Sequence, residues 1–271
     1  LLLLMLIPTG IYFAFKFKII NIRKLPHAIK IISGKYDKEE DVGDINHFKA
    51  LTTALSATIG TGNIVGVALA IYFGGPGAIF WMWVTGLLGM GIKFVECSLS
   101  FKFRKVHENG SVSGGPMYYI EYGLKEKFGS FAKKLAIIFA SATILCSLGT
   151  GNMAQSNSMA DVMKTNYGIS VTVSGIVISA LVLLVIVGGI KRIAEVTCKL
   201  VPFMALFYFI GALIIIIIFY DKVPSALYMI FHDAFTGTAV IGGFIGSVFI
   251  ITIRFGVARG IFSNEAGQGS A

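Results

Sequence analysis

Ala50-Leu-Thr-Thr-Ala-Leu-Ser-Ala-Thr-Ile-Gly-Thr-Gly-Asn-Ile-Val-Gly-Val-Ala-Leu-Ala-Ile-Tyr-Phe73 is an apolar run with no charged residue, and Gly60-Thr61-Gly62-Asn63 stands at its centre. As a helix it is long enough to cross about 30 Å of bilayer hydrocarbon. Two glycines and an asparagine at mid-depth point to a break in that helix. Non-helical backbone survives at membrane depth only where it is buried in protein or lines a cavity. Half-helix ends at such a break aim N–H groups at anions, and the freed carbonyls can coordinate a cation. The tetrapeptide is therefore a candidate binding site.

The rest of the chain fits this setting, with 55% hydrophobic and 14% charged residues against roughly 25% charged in soluble domains. Apolar stretches recur at the length of membrane helices, unlike the alternating pattern of a barrel strand. Seven helices are expected, at about Leu1 to Phe17, Phe48 to Phe73, Ala78 to Phe101, Leu135 to Met159, Val171 to Gly189, Leu200 to Phe219 and Val240 to Arg259.

The net charge of +9 could suggest a nucleic-acid partner, but its distribution speaks for a lipid bilayer. Lys and Arg gather in alternate loops: Lys16 to Lys49, Lys102 to Lys134, and Lys191 to Lys199. The loops between them hold only Lys164 and Lys222. The positive-inside rule makes the dense loops cytoplasmic, so the broken helix runs outward. Leu1 to Phe17 lacks the basic start and small-residue cleavage site of a signal peptide and reads as a short membrane helix. The sequence stops at Ala271 just after a helix and a polar loop, which reads as a C-terminal truncation. Cys97, Cys146 and Cys198 show no paired spacing, and His27, His47, His107 and His232 are scattered, so neither a metal centre nor a disulfide framework is expected.

Four separated stretches carry a family resemblance: Phe48 to Gly66 around the break, Gly74-Gly-Pro-Gly-Ala-Ile-Phe-Trp-Met-Trp83, Ser113-Gly-Gly-Pro-Met-Tyr-Tyr119, and Phe255-Gly-Val-Ala-Arg-Gly-Ile-Phe-Ser-Asn-Glu-Ala-Gly267. Together, and in this order, they resemble the sodium:alanine (alanine or glycine:cation) symporter family of the amino acid-polyamine-cation superfamily. The resemblance covers essentially the whole chain. It implies an all-α polytopic membrane protein with a five-plus-five inverted-repeat core, similar to that of the neurotransmitter:sodium symporters. Residues 1–271 would form one transporter domain, with an extra helix at 1–17, the first repeat at 48–220 and the start of the second at 236–271.

The resemblance makes Gly60-x-Gly62-Asn63 the unwound segment of the first core helix. Glycines let the backbone approach a ligand closely; the N–H groups of Thr61 and Gly62 would take a substrate carboxylate, and Asn63 would offer its side-chain oxygen to Na⁺. The carbonyls of Ser56, Thr58 and Ile59 are the matching oxygens for a hard cation. The alternative is that Gly60, Gly62 and Gly66 are small-residue packing positions, although packing alone does not explain Asn63.

A second Gly-Thr-Gly-Asn, at Gly149 to Asn152, starts a stripe of Asn152, Gln155, Ser156 and Met159 on one helix face. The resemblance implies that Gln155 hydrogen-bonds the substrate; the alternative is an interhelical amide contact. In the last helix the backbone from Gly246 to Thr252 is expected to face the Gly60 break, with Ile250 or Ile251 closing the pocket and Thr252 joining the Na⁺ ligands. Arg254 reads as an inside-end anchor or as a gate partner of Glu96 or Glu265. Lys93 and Glu96, three apart, are expected to neutralise each other or to form a proton relay. Asp44 is a candidate helix N-cap, and Ser113 to Met117 reads as a loop turning back toward the membrane.

Enzyme chemistry is not expected: no intramembrane Gly-x-Ser-x-Gly with a helical His, no paired membrane Asp and no His-Glu-x-x-His are present. The expected function is Na⁺-coupled import of a small neutral amino acid, alanine or glycine, with Na⁺ as coupling ion and no cofactor. The alternatives are an H⁺-coupled amino acid transporter and a cation channel. The expected location is the cell membrane, as a multi-pass protein, or the inner membrane in a Gram-negative bacterium.

Overall fold

Helix dominates because the chain is apolar and its backbone must satisfy itself without water. A computed structural model describes residues 2–37, 43, 45–149, 152–236 and 245–269, apart from the side chains of residues 2–4 and 245–248. In chain order the elements are α1 (Leu2–Lys16), α2 (Ile20–Arg23), α3 (Leu25–Ile32), α4 (His47–Thr58), a 3₁₀ turn (Thr61–Asn63), α5 (Val65–Gly74), α6 (Gly77–Lys102), β1 (Lys105–Val106), β2 (Val112–Ser113) and α7 (Pro116–Gly123). They continue with α8 (Lys125–Phe128), α9 (Ser130–Ser147), α10 (Asn152–Tyr167), α11 (Val171–Ile186), α12 (Gly189–Ile218), a 3₁₀ turn (Tyr220–Lys222), α13 (Val223–Thr236) and α14 (Ile245–Asn264).

Local signals set the boundaries. Gly75, at φ +74, ends α5 with its N–H on the Ile71 carbonyl, a left-handed turn that glycine adopts without strain. Gly115, at φ +113, turns the chain so that Pro116 opens α7. Ser170 caps α11, its hydroxyl oxygen accepting from the Val173 N–H at 3.3 Å. β1 and β2 form a short antiparallel hairpin.

The chain divides into two compact units, residues 1–23, 55–92 and 199–267, and residues 24–54, 93–198 and 268–271. In the first, α14 packs along α5 and against α13. Its core is made of small residues, with Ala70, Ala78, Ala234, Thr252 and Val257 almost wholly inaccessible, and the Trp81 indole N–H donates to the Ala234 carbonyl at 2.9 Å. In the second unit α7 packs on α9, and α10 on α11.

Several expected boundaries change. The helix expected at Leu135 to Met159 begins at Ser130, and helix resumes at Asn152 to run past Met159 to Tyr167; Thr150 and Gly151 between them lie outside the described residues. The helix expected from Leu200 starts at Gly189, because Lys191, Arg192 and Glu195 are good helix formers beyond the apolar stretch and Pro202 is accommodated inside. The last helix runs on to Asn264 instead of stopping at Arg259. Seven spans are not all of spanning length: α1 and α11 have 15 and 16 residues, about 23 Å of helix against about 30 Å of hydrocarbon. Among the described residues α6, α12 and the stretch from Ser130 to Tyr167 are long and apolar enough, with the bent pair around Gly60 as a fourth. Asp44, the expected N-cap, lies outside the described residues.

Candidate functional site

The break stands where the glycines place it. α4 ends at Thr58, Gly60 is extended at φ −148 and ψ −166, and Thr61–Asn63 forms a single 3₁₀ turn before α5 begins. The helix axis bends by 60° there. The Asn63 N–H donates to the Gly60 carbonyl at 3.0 Å, and that of Ile64 to Thr61 at 3.1 Å. No side chain caps the 3₁₀ turn or α5, and a helix start leaves its first N–H groups without intrahelical acceptors. Ser56, Thr58 and Ile59 fall in the last turn of α4 and the link after it, where helix carbonyls point past the helix end.

Asn63 is the telling side chain. Its Oδ1 is fully buried and has no hydrogen-bond partner in the protein. Leaving such an acceptor unsatisfied costs about 1–3 kcal/mol. The carbonyl oxygen is an acceptor only, so its partner would have to be a cation or a donor group. No metal site is built elsewhere from clustered His, Cys, Asp or Glu among the described residues.

The face of α14 laid against the break is one the sequence did not single out. A Cβ at Gly62 would come within 3.0 Å of Phe262 Cε1, and one at Gly66 within 3.6 Å of Arg259 Cδ. Gly62, Gly66, Ala70 and Gly74 recur every fourth residue, a small-residue stripe against which α14 lies. α14 meets α6 in the same way: Cβ atoms at Gly256 and Gly260 would stand 2.5 Å from the Ala78 carbonyl oxygen and 2.9 Å from Thr85 Cβ. The packing reading of Gly62 and Gly66 therefore holds. The four-residue spacing was the signal that would have found this face.

Other expected residues fall elsewhere. Thr252 is fully buried, but its hydroxyl donates to the Gly74 carbonyl at 2.7 Å, at the far end of α5, about 15 Å along the helix from Asn63. It pins α14 to α5 and does not join Asn63. Gly246 to Thr252 lies in unbroken helix, so no second break occurs in that stretch; Ile250 is 64% exposed and Ile251 half-buried. Gln155 is half-buried on α10 in the second unit, with Asn152 and Ser156 exposed beside it. Lys93 Nζ lies 3.5 Å from Glu96 Oε2 as an ion pair, with both side chains largely buried. Glu96 is committed there, and Arg254 is exposed on α14, as an interfacial anchor is.

Apolar helices with a discontinuous one at the centre, broken around a buried unsatisfied amide oxygen, give the make-up of a membrane transporter. The chain belongs to the sodium:alanine symporter family, whose description it matches over residues 1–271. It is thus a membrane protein of a transporter family and not of an enzyme family. It is 45% identical over 270 residues to the sodium/alanine symporter AgcS of Methanococcus maripaludis, covering 100% of this chain and 58% of that protein. It is 36% identical over 269 residues to the amino-acid carrier protein AlsT of Bacillus subtilis, with 98% and 54% covered. With GlnT of the same organism, named a probable sodium/glutamine symporter, it shares 35% identity over 275 residues, with 100% and 54% covered. The chain spans little more than half the length of these relatives.

Proposed function

We propose that this chain carries the ion and substrate site of a Na⁺-coupled symporter for a small neutral amino acid, alanine or glycine, in the cell membrane. The buried, unpartnered Oδ1 of Asn63 at the helix break carries the reading. Na⁺ would take this oxygen together with carbonyls of Ser56, Thr58 and Ile59, since hard cations want several oxygen ligands. The amino acid carboxylate would lie at the N–H groups of Thr61 and Gly62, where the uncapped helix start favours an anion. Bound Na⁺ and carboxylate would then sit side by side, so each strengthens the other's binding, which is what coupling requires.

Residues 1–17, 48–220 and 236–271 would be the extra helix, the first repeat and the opening of the second in one five-plus-five transporter domain. The AgcS name supports alanine, while the name of GlnT marks amide side chains as an alternative cargo within the same family. The energetics are adequate. One Na⁺ moving inward across about 100 mV supplies about 2.3 kcal/mol, and a tenfold Na⁺ gradient adds about 1.4 kcal/mol, enough for accumulation of roughly several hundredfold.

Uptake of radiolabelled alanine by the full-length protein in proteoliposomes tests this. An inward Na⁺ gradient should drive concentrative uptake that K⁺ in its place does not, with glycine competing and glutamine competing poorly. Uptake indifferent to Na⁺ would sink the proposal.

A further inference from the structure

Glu96 and Gly269 meet in a slot that the proposed ion and substrate site does not use. Beyond its pairing with Lys93, Glu96 accepts a hydrogen bond at Oε1 from the backbone N–H of Gly269, at 3.1 Å, and its side chain is only 13% exposed. Burying a carboxylate so far is costly unless it is paired and hydrogen-bonded. Lys93 supplies the charge, and the backbone N–H supplies a charge-assisted bond.

The slot fits glycine. Gly269 has φ +70, and a Cβ there would stand 2.6 Å from Pro116 Cγ and 2.9 Å from Phe139 Cζ. Pro116 is set in place by the turn that the Ser113 to Tyr119 motif encodes: β2 ends at Ser113, Gly115 turns at φ +113, and Pro116 opens α7. A cavity of about 250 Å³ lies beside the contact, lined by Glu96, Ser100, Met117 and Tyr119 among others. At Gly269 the loop offers the slot only backbone, so it can leave and return with no side chain to unpack.

We propose that Glu96 is a positioning residue of the transport cycle: its carboxylate latches Gly269, in the loop that follows α14, into the slot between Pro116 and Phe139. The chain turns through left-handed positions at Glu265, Gly267 and Gly269, and the last of these turns the Gly269 backbone N–H toward the carboxylate. This rests on the symporter reading for its purpose. The contact itself is testable without transport.

The test is alkylation of Ser100→Cys from the cytoplasmic side in the full-length protein, with Cys97, Cys146 and Cys198 replaced. Glu96→Ala and Gly269→Ala open the latch from opposite sides and should each speed alkylation roughly tenfold, the factor for losing a hydrogen bond to a charged group. The double variant should label no faster than the faster single one, because both remove the same contact. Glu96→Gln, which keeps an acceptor oxygen, should label closer to the parent than Glu96→Ala does. Unchanged labelling in both single variants, or effects that multiply in the double variant, would overturn the latch. Normal latch behaviour in a protein that does not take up alanine would sink the symporter reading and leave the latch standing.

Discussion

α12 and α14 are both long apolar helices, yet they are held by opposite means. α12 is built of bulky residues, Ile214 to Ile218 are each more than half exposed, and only 6% of its most apolar stretch is buried. α14 meets its neighbours through Gly256 and Gly260 on its own surface and through the Gly62 to Gly74 stripe of α5, and Thr252 and Val257 on it are sealed from solvent. Bulky apolar residues satisfy lipid and make a span. Small residues let backbones touch and make a joint. The break at Gly60 to Asn63 lies on the joint, where α14 packs against both α5 and the 3₁₀ turn.

That contrast can be broken by substitutions, taken here in the full-length protein from the largest expected effect downward. Gly256→Val places its Cβ 2.5 Å from the Ala78 carbonyl oxygen, a backbone atom that cannot step aside. The expected cost is about 3 kcal/mol or more, seen as a collapse in thermal stability and in folded yield. Wild-type stability in this variant would mean that α14 does not lie against α6. Thr252→Val keeps the shape but leaves the Gly74 carbonyl without its hydroxyl donor, and should lower stability by about 1–3 kcal/mol. Gly62→Ala asks Phe262 to yield by only a few tenths of an ångström. Its cost should be about 1 kcal/mol, recovered in large part by adding Phe262→Leu; a loss that the second change leaves untouched would place the trouble in the backbone of the break. Ile215→Ala on α12, at a side chain 60% exposed, should move the melting point by the equivalent of no more than about 0.5 kcal/mol.

The sequence made the span legible and the joint only partly so. Gly60 to Asn63 announces itself because glycine and asparagine are out of place in a charge-free apolar run, and the structure bends by 60° there. The start of α12 at Gly189 was hidden because Lys191, Arg192 and Glu195 interrupt the apolar signal without ending the helix, so the signal resumes only at Leu200, eleven residues after the helix begins. Thr252 was misplaced for another reason. Its chemistry suits a cation ligand, but which carbonyl it meets depends on how α14 is aligned along α5, and one residue of axial slip moves a contact by about 1.5 Å. The contact between Gly269 and Glu96 spans 173 residues, and nothing local in either segment marks the other as its partner.

The central claim is that Asn63 Oδ1 is a Na⁺ ligand, and Na⁺-induced stabilisation of the full-length protein reads it most directly. Thermal unfolding is followed with rising NaCl, with choline chloride holding ionic strength constant, for wild type and Asn63→Ala. The account predicts that Na⁺ at a hundred times its dissociation constant stabilises wild type by about 2.7 kcal/mol, and that Asn63→Ala, folded and otherwise similar in stability, shows almost none of this. Equal Na⁺ stabilisation of the two proteins would contradict it.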